Sequence, residues 1–249
     1  MVKRKAWIVL WCCVSPAWAT ESASSAGKLS DPVEILKRAQ EAVRQVKAVR
    51  FSFVRQGILS DEGKSPRIEG TSVYSGWAQT WVQKFRVDAK VTRPGEPEPT
   101  EVVAGSDGNV VYLVDAKNKK VYADMDPAVL GAKMRFVRQS MMMYYVNPEA
   151  FEEEKKSAVK ELKGMTRVGD EECYELRVGR AGGEGSSTWF LSARDFLPRR
   201  LELTFPAREG QMGGFSMVLS NLSVNPKFDK DPFQLAVPEG YTKTDEFAP

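Results

Sequence analysis

The feature that most constrains the fold is a long series of short segments in which apolar and polar residues alternate. Val49, Phe51 and Phe53 are separated by Arg50 and Ser52, a period of two that is typical of a strand with one buried face. Similar segments follow at residues 68–77, 81–91, 102–104, 110–114 and 120–123, with turn-forming stretches between them. Five or six strands in succession predict an antiparallel meander and exclude a parallel α/β fold.

A helix is predicted immediately before this meander. Asp31 is suited to cap a helix, Pro32 suits the first helical position, and Glu34 completes a capping-box-like arrangement with Asp31. Apolar residues then recur at helical spacing as far as Val46. The sequence therefore predicts about four turns of helix with one apolar face.

The second half of the chain repeats the change from helix to strand. Helices are predicted over residues 128–145 and 149–163, and Glu152 and Lys156 in the second have the spacing of a solvent-facing pair. Strands are then predicted at residues 166–168, 172–178, 188–191, 199–205 and 215–224. This order of elements predicts one α+β domain.

The first nineteen residues have the layout of a secretory signal peptide. A basic start precedes a short apolar run, and Ala17 and Ala19 place small residues before a cut at Thr20. A lipid attached at Cys12 fits less well because Trp11 precedes that cysteine, and an uncleaved anchor is a further alternative. We therefore predict a periplasmic protein that is exported with a cleaved signal peptide.

The predicted boundaries are a signal at residues 1–19, a flexible leader at 20–30, a domain at 31–243 and a tail at 244–249. Without the signal the chain carries 33 basic and 33 acidic side chains. A neutral chain lacks the basic surplus that nucleic-acid binding requires. We therefore expect no nucleic-acid partner.

Catalytic motifs are weak in this sequence. The chain has no histidine, which excludes Ser-His-Asp and Cys-His catalysis and histidine metal sites. Ser157 and Lys160 fit an S-x-x-K pattern, but the predicted exposed helix would not lower the pKa of the lysine. Cys173, the one cysteine beyond the signal, is expected to be buried and inert. We predict no catalysis, no metal and no cofactor.

Large, flexible apolar side chains are concentrated near the middle of the chain. Met141-Met142-Met143-Tyr144-Tyr145, together with Met134 and Phe136, places such groups on more than one face of a short helix. Methionine suits surfaces that accept varied apolar partners. Two interpretations stay open: a fully buried core helix, or a helix that covers a hydrophobic cavity.

Three segments in the right order are similar to the exported lipoprotein-localisation carriers of the LolA/LolB type. The opening helix with its run into residues 49–56 (VRFSFVRQ) is similar to the family's start, and residues 102–123 resemble its unit of Asp-Gly, apolar strand, turn and strand. Trp189 followed by Leu197-Pro198-Arg199-Arg200-Leu201-Glu202 resembles a third family segment. The resemblance covers nearly all of residues 31–241 and identifies the chain as a divergent member.

This resemblance implies a strongly curved antiparallel sheet that forms an incomplete, half-open β-barrel, with an N-terminal helix and a central helical lid. Its implied function is a non-catalytic carrier of lipid or lipoprotein acyl chains between membrane-bound donor and acceptor proteins, as a monomer. One departure is the stretch over residues 73–81, which lacks the arginine that latches the lid in dedicated carriers. The alternative is an envelope sensor or protein-docking module with a filled cavity.

The predicted lining of the cavity comes from the sheet and from the lid. Their proposed role is contact with the ligand, and a one-residue error in register would reverse the face of every strand residue. The candidates are Phe51, Phe53, Tyr74, Trp81, Phe85 and Tyr112 from the sheet, and Met134, Val137, Met141 and Tyr144 from the lid.

Overall fold

The computed structural model describes residues 28–75, 84–124, 143–145, 147, 149–180, 184–207 and 210–245. In this part of the chain the helices are α1, Pro32–Arg44, and α2, Glu152–Lys156, and a 3-10 turn is formed by Met143–Tyr145. The strands are β1 Ala48–Leu59, β2 Arg67–Ser75, β3 Lys84–Thr92, β4 Thr100–Ser106, β5 Val111–Asp115, β6 Lys120–Asp124, β7 Lys160–Val168, β8 Glu171–Gly179, β9 Ser186–Ser192, β10 Pro198–Pro206, β11 Met212–Val224 and β12 Thr242–Thr244.

These strands form one sheet in the order β12-β6-β5-β4-β3-β2-β1-β11-β10-β9-β8-β7. Two antiparallel meanders, β1–β6 and β7–β11, are joined where β1 pairs with β11. The short strand β12, which sequence patterns did not predict, pairs in parallel with β6. Strands β12 and β7 end the order, so the sheet is open. An α+β fold on a mostly antiparallel, open sheet is thereby confirmed.

Helix α1 begins as its sequence predicts. The Asp31 carboxylate accepts a hydrogen bond from the Val33 backbone N–H at 2.9 Å, and Pro32 occupies the first turn. Glu34 does not act as the expected second half of a capping box, because its Oε1 accepts from Arg38 Nε at 3.0 Å. That pair of residues four apart stabilises an exposed helix face by a few tenths of a kcal/mol, about 0.3–0.5.

The apolar face of α1 packs onto one face of the sheet, which we call the core face; the opposite face is the outer face. Ile35, Leu36, Ala39 and Val43 are buried and belong to the same apolar cluster as residues of both meanders. Burying an Ile or Leu side chain contributes about 1.5–3 kcal/mol. Helix α1 therefore contributes its apolar face to the core that the two meanders share.

The helix predicted over residues 149–163 is largely wrong. Helix α2 ends at Lys156, and β7 begins at Lys160. Lys156 pairs with Glu153 at 3.1 Å rather than with Glu152 as predicted. The charged residues after Lys156, which were expected to continue a solvated helix, lie instead on the edge strand β7, where charge is a common feature because it discourages pairing with another chain.

Strand β1 extends beyond the alternating residues Val49, Phe51 and Phe53 from which it was predicted, and it includes Gly57. Gly57 pairs with Phe215 of β11, and the strand ends at Leu59. A Cβ atom at Gly57 would lie 2.2 Å from the Asp61 carbonyl oxygen. Glycine therefore signals close backbone approach here, not the end of the strand.

Candidate hydrophobic binding face

Four of the predicted sheet residues lie on the core face. Residues paired across neighbouring strands share a face, and so do residues two apart along a strand. Val49 pairs with Tyr74, and Tyr74 pairs with Phe85. Phe51 and Phe53 follow Val49 at spacings of two along β1. The register therefore brings together Phe51, Phe53, Tyr74 and Phe85.

Phe51 is at the centre of this aromatic group. Its ring centroid lies 6.4 Å from that of Phe53 and 5.8 Å from that of Tyr74. Both Phe51 and Tyr74 are fully buried, whereas Phe85 is partly buried against the same cluster. Burial raises the pKa of Tyr74, so its phenol stays neutral at any physiological pH. The result is a continuous uncharged surface at this end of β1–β3.

Tyr112 was wrongly placed in this group and lies on the outer face. It pairs with Gly105, which pairs with Arg86, while its neighbours Val111 and Leu113 belong to the core cluster. Its hydroxyl donates to the Phe233 carbonyl oxygen at 3.3 Å, so the C-terminal segment covers it. Burial raises its pKa to about 12. Because β5 has apolar residues on both faces, its sequence did not show which side chains point toward the core.

Tyr144 lies in the 3-10 turn and contacts the second meander. Its ring centroid is 4.4 Å from that of Trp189 on β9 and 5.0 Å from that of Phe151. The Tyr144 hydroxyl donates a hydrogen bond to the Glu154 carboxylate. Burial and the charge of Glu154 raise the pKa of this phenol. Tyr144 is thus anchored between β9 and α2.

The next residue, Tyr145, was not predicted and links the two meanders. Its ring centroid lies 6.0 Å from that of Phe51 on β1, and its hydroxyl donates to the Pro198 carbonyl oxygen of β10 at 2.7 Å. Of the two adjacent tyrosines in this turn, Tyr144 therefore contacts the second meander and Tyr145 contacts both. The two tyrosines that follow the three methionines could have indicated this contact. The predicted helix over residues 128–145, however, placed only Tyr144 on the inward face.

Trp189 and Phe151 also line the core without having been predicted as lining residues. Both are completely buried, and their ring centroids are 5.0 Å apart. Phe151 has a left-handed backbone with φ of 65°, which is uncommon for a bulky residue. The alternation of Trp189 with Leu191 on β9 could have indicated a shared inward face.

A buried polar link holds α1 against α2. Gln40 is 3% exposed, and its Nε2 donates to the Ala150 carbonyl oxygen at 2.8 Å and to Glu152 Oε1 at 2.7 Å. Lys155 Nζ donates to Gln40 Oε1 at 2.8 Å. Both the oxygen and the nitrogen of the side-chain amide therefore have hydrogen-bond partners. We call α1, α2 and the 3-10 turn Met143–Tyr145 the cover; its parts are held together by hydrogen bonds as well as by packing.

The remaining predicted residues, Trp81, Met134, Val137 and Met141, lie outside the described residues, together with most of the predicted lid. Their inclusion in the lining stays a prediction. The part of the lid that is described is its last turn, Met143–Tyr145.

Ser157 and Lys160 are linked in a way that does not create a nucleophile and base. The Ser157 hydroxyl donates to the Gly179 carbonyl oxygen at 2.8 Å, and Lys160 Nζ donates to the Ser157 carbonyl oxygen rather than to its side chain. A nucleophilic serine requires a base that accepts its proton. These contacts instead tie the end of α2 to β8.

Cys173 is fully buried on β8. Burial raises the pKa of its thiol to about 11, which makes the reactive thiolate rare at neutral pH. The expectation of a buried cysteine is confirmed.

A depression of about 570 Å³ lies over β1–β4. Its lining includes the outer-face residues Ser52, Thr71, Asp88, Lys90 and Glu101. Side chains of both charges and hydroxyl groups make this lining unlike the apolar core face.

No protein-family model matches the sequence, and neither does any curated protein. Among solved structures, LprF from Mycobacterium bovis matches with a TM-score of 0.50 at 12% identity, over 84% of this chain and 100% of LprF. MucB matches with a TM-score of 0.49 at 16% identity, and the match covers 83% of this chain and 63% of MucB. A LolA superfamily protein from Nitrosomonas europaea matches at 9% identity with a TM-score of 0.35, over 83% of this chain and 99% of that one.

In the described part of the chain, no helix combines the length and the apolar character needed to span a bilayer.

The match to LprF extends over the whole of that protein. At this level of identity it is a similarity of fold. The protein therefore shares the fold of LprF.

Proposed function

We propose that the protein is a non-catalytic periplasmic carrier that binds a lipid or lipoprotein acyl chain against the core face of a strongly curved, half-open barrel. The observation that carries this proposal is the convergence of Phe51, Phe53, Tyr74 and Phe85 on one uncharged surface beneath a separate helical cover. Each CH₂ group hidden from water contributes about 0.8 kcal/mol. A long acyl chain therefore gains on the order of 10 kcal/mol by leaving water for this surface.

The cover has properties that suit release of a ligand. Gln40 joins α1 to α2 through a few hydrogen bonds, and Tyr144 joins the 3-10 turn to α2 through Glu154. A neutral hydrogen bond such as that from Gln40 to the Ala150 carbonyl oxygen contributes about 0.5–1.5 kcal/mol net, and a bond to a charged group contributes about 1.5–3 kcal/mol. Breaking a small number of them would let α1, α2 and the 3-10 turn separate from one another, whereas the sheet beneath keeps its ladder of backbone bonds.

Export by the predicted signal peptide would place this carrier in the periplasm. A chain that carries lipid there has to receive it from one membrane-bound protein and deliver it to another. We therefore include donor and acceptor proteins and a monomeric carrier in the proposal.

The test is to purify the protein from its own periplasm without detergent, record native mass spectra, and then titrate it with a fluorescent fatty acid. We expect copurified lipid and saturable uptake. Phe85→Gln should weaken uptake by about tenfold, since a partly buried Phe contributes on the order of 1.5 kcal/mol of apolar contact. The matched control is Lys84→Gln, which alters the exposed neighbour that pairs with Asp231. Absence of lipid together with absence of uptake would contradict the proposal.

A second candidate is a protein-docking or sensor module whose core face is filled by its own side chains. Complete burial of Phe51 and Tyr74, with Tyr145 packed on Phe51, favours this alternative. It predicts no copurified lipid and a stable protein partner in pull-downs. The same mass spectra therefore separate the two candidates.

A further inference from the structure

The core face contains a buried cation, Arg55, in the middle of apolar neighbours. Arg55 pairs with Ile68 on β2 and with Met217 on β11, and each of these two residues is 2% exposed. Arg55 itself is 8% exposed, and its guanidinium carbon lies 4.1 Å from the centre of the Phe215 ring. A charge at this depth is costly unless its donors are paired.

The donors of Arg55 are incompletely used. Its Nε is buried and makes no hydrogen bond within the described part of the chain. Asp61 is the nearby acid whose charge acts on it, and the Asp61 carboxylate accepts from the Gly214 backbone N–H at 2.9 Å. Burial lowers the pKa of Arg55 and the charge of Asp61 opposes that effect. A guanidinium has five N–H donors, and stacking on Phe215 satisfies none of them.

Arg199 shows what a buried arginine looks like when its role is structural. It is 4% exposed, and its nitrogens donate to Glu171 at 3.0 Å, to Asp195 at 2.6 Å and to the Leu197 carbonyl oxygen at 3.2 Å. The same residue type is thus fully paired with carboxylates on β8 and in the turn before β10. Arg55 has no comparable set of acceptors among the described residues, and its buried Nε is left available to the anionic group of a ligand.

We propose that Arg55 binds the anionic group of the cargo, so that the preferred ligand is an anionic amphiphile. Its carboxylate or phosphate would accept hydrogen bonds from the guanidinium, and its alkyl chain would follow β1 past Phe53 to Phe51. These side chains lie on the same face at spacings of two, and Phe51 is about 13 Å from Arg55 along the strand. This inference rests on the proposed function and specifies the ligand class of the same face.

The experiment compares ligands of equal chain length with and without charge. Palmitate is titrated against hexadecanol, and phosphatidic acid against diacylglycerol, into the wild type, Arg55→Met and Arg55→Lys. Arg50→Met is the matched control, because Arg50 lies on the same strand but on the outer face, exposed and stacked on Phe228. The carboxylate and phosphate arms distinguish a fatty acid from a phospholipid.

We expect the wild type to prefer the anionic member of at least one pair by about 10- to 100-fold, the usual effect of a charge-assisted hydrogen bond in a buried site. Arg55→Met should remove that preference and leave the binding of the neutral ligand within about twofold. Arg55→Lys should retain part of it, since it keeps the charge but loses the planar fork. Arg50→Met should behave as the wild type.

Equal wild-type affinity for charged and neutral ligands would overturn the inference and leave the proposed carrier intact, whereas failure to bind any of the four would overturn the proposed function. Unfolding curves establish whether each variant is folded. If Arg55→Met does not fold, the Nε–H signal of Arg55 in the wild-type NMR spectrum decides the question. It should shift with palmitate or phosphatidic acid but not with the neutral ligands, and an unchanged signal would refute the assignment.

Discussion

Replacement of Gln40 by leucine tests whether the cover over the core is held by the polar link between α1 and α2. Leucine keeps a similar volume and a similar helix propensity, so the change removes mainly hydrogen bonds. It leaves the Ala150 carbonyl oxygen without its donor and takes one partner each from Glu152 and Lys155. Glu152 and Lys155 remain paired with each other at 3.1 Å.

The magnitude follows from these contacts. A buried carbonyl oxygen that loses its hydrogen-bond donor costs about 1–3 kcal/mol. The bonds of Gln40 with Glu152 and Lys155 contribute less than a fully buried charge-assisted bond, because water reaches both charged partners. We expect the free energy of unfolding to fall by about 2–4 kcal/mol. In a chain of this size, the midpoint of thermal unfolding should fall by roughly 5–12 °C.

Urea unfolding at equilibrium measures the change, and an unaltered m-value shows that the unfolded state is the same. Glu41→Ala on the exposed face of α1 is the control, with an expected change within about 0.5 kcal/mol. A loss for Gln40→Leu no larger than that of the control would refute the claim that this link fixes the cover. A loosened cover should also shorten the residence time of a bound fatty acid.

Three further predictions follow from the described contacts. Tyr112→Phe should lower the free energy of unfolding by about 1 kcal/mol, through loss of the bond to Phe233, yet leave fatty-acid uptake unchanged; reduced uptake would contradict its place on the outer face. Trp189→Leu should cost about 2–4 kcal/mol in urea unfolding, because it removes the contacts with Tyr144 and Phe151; a loss under 1 kcal/mol would indicate loose packing there. At pH 8, a thiol reagent should label Cys173 slowly in the native protein and fully in urea, since a thiol with a pKa of about 11 is about 0.1% thiolate at that pH; rapid native labelling would contradict its burial.

The sheet was predictable where one face of a strand is apolar and the other polar. In β1 the alternation of Phe51 and Phe53 with Arg50 and Ser52 fixed both the element and its inward side. In β5, Val111 and Leu113 pack in the core while Tyr112 packs beneath the C-terminal segment. Because both faces of β5 are buried, its composition did not reveal which side chains point inward.

Charged residues were difficult to interpret from sequence in two places, for opposite reasons. The acidic and basic residues after Lys156 suggested a solvated helix, but they form the edge strand β7, where polar residues on both faces also occur. Arg55 is the opposite case, a charged residue that is buried although it was expected to be unremarkable. An arginine between Val54 and Gln56 indicates nothing unusual in a sequence. The alternation in β1 places Arg55 on the same side as Phe51 and Phe53, and its pairing with the buried residues Ile68 and Met217 shows that this position is inside the core.

The central claim, that an acyl chain lies against the core face, is tested most directly by photo-crosslinking. A palmitate analogue with a diazirine in mid-chain is bound to the wild-type protein and irradiated, and the labelled residues are identified by peptide mass spectrometry. We expect labels concentrated at Phe51, Phe53, Tyr74 and Phe85, and competing palmitate should remove them. Labels confined to the outer face, around Ser52 and Thr71, or no label that palmitate displaces, would contradict it.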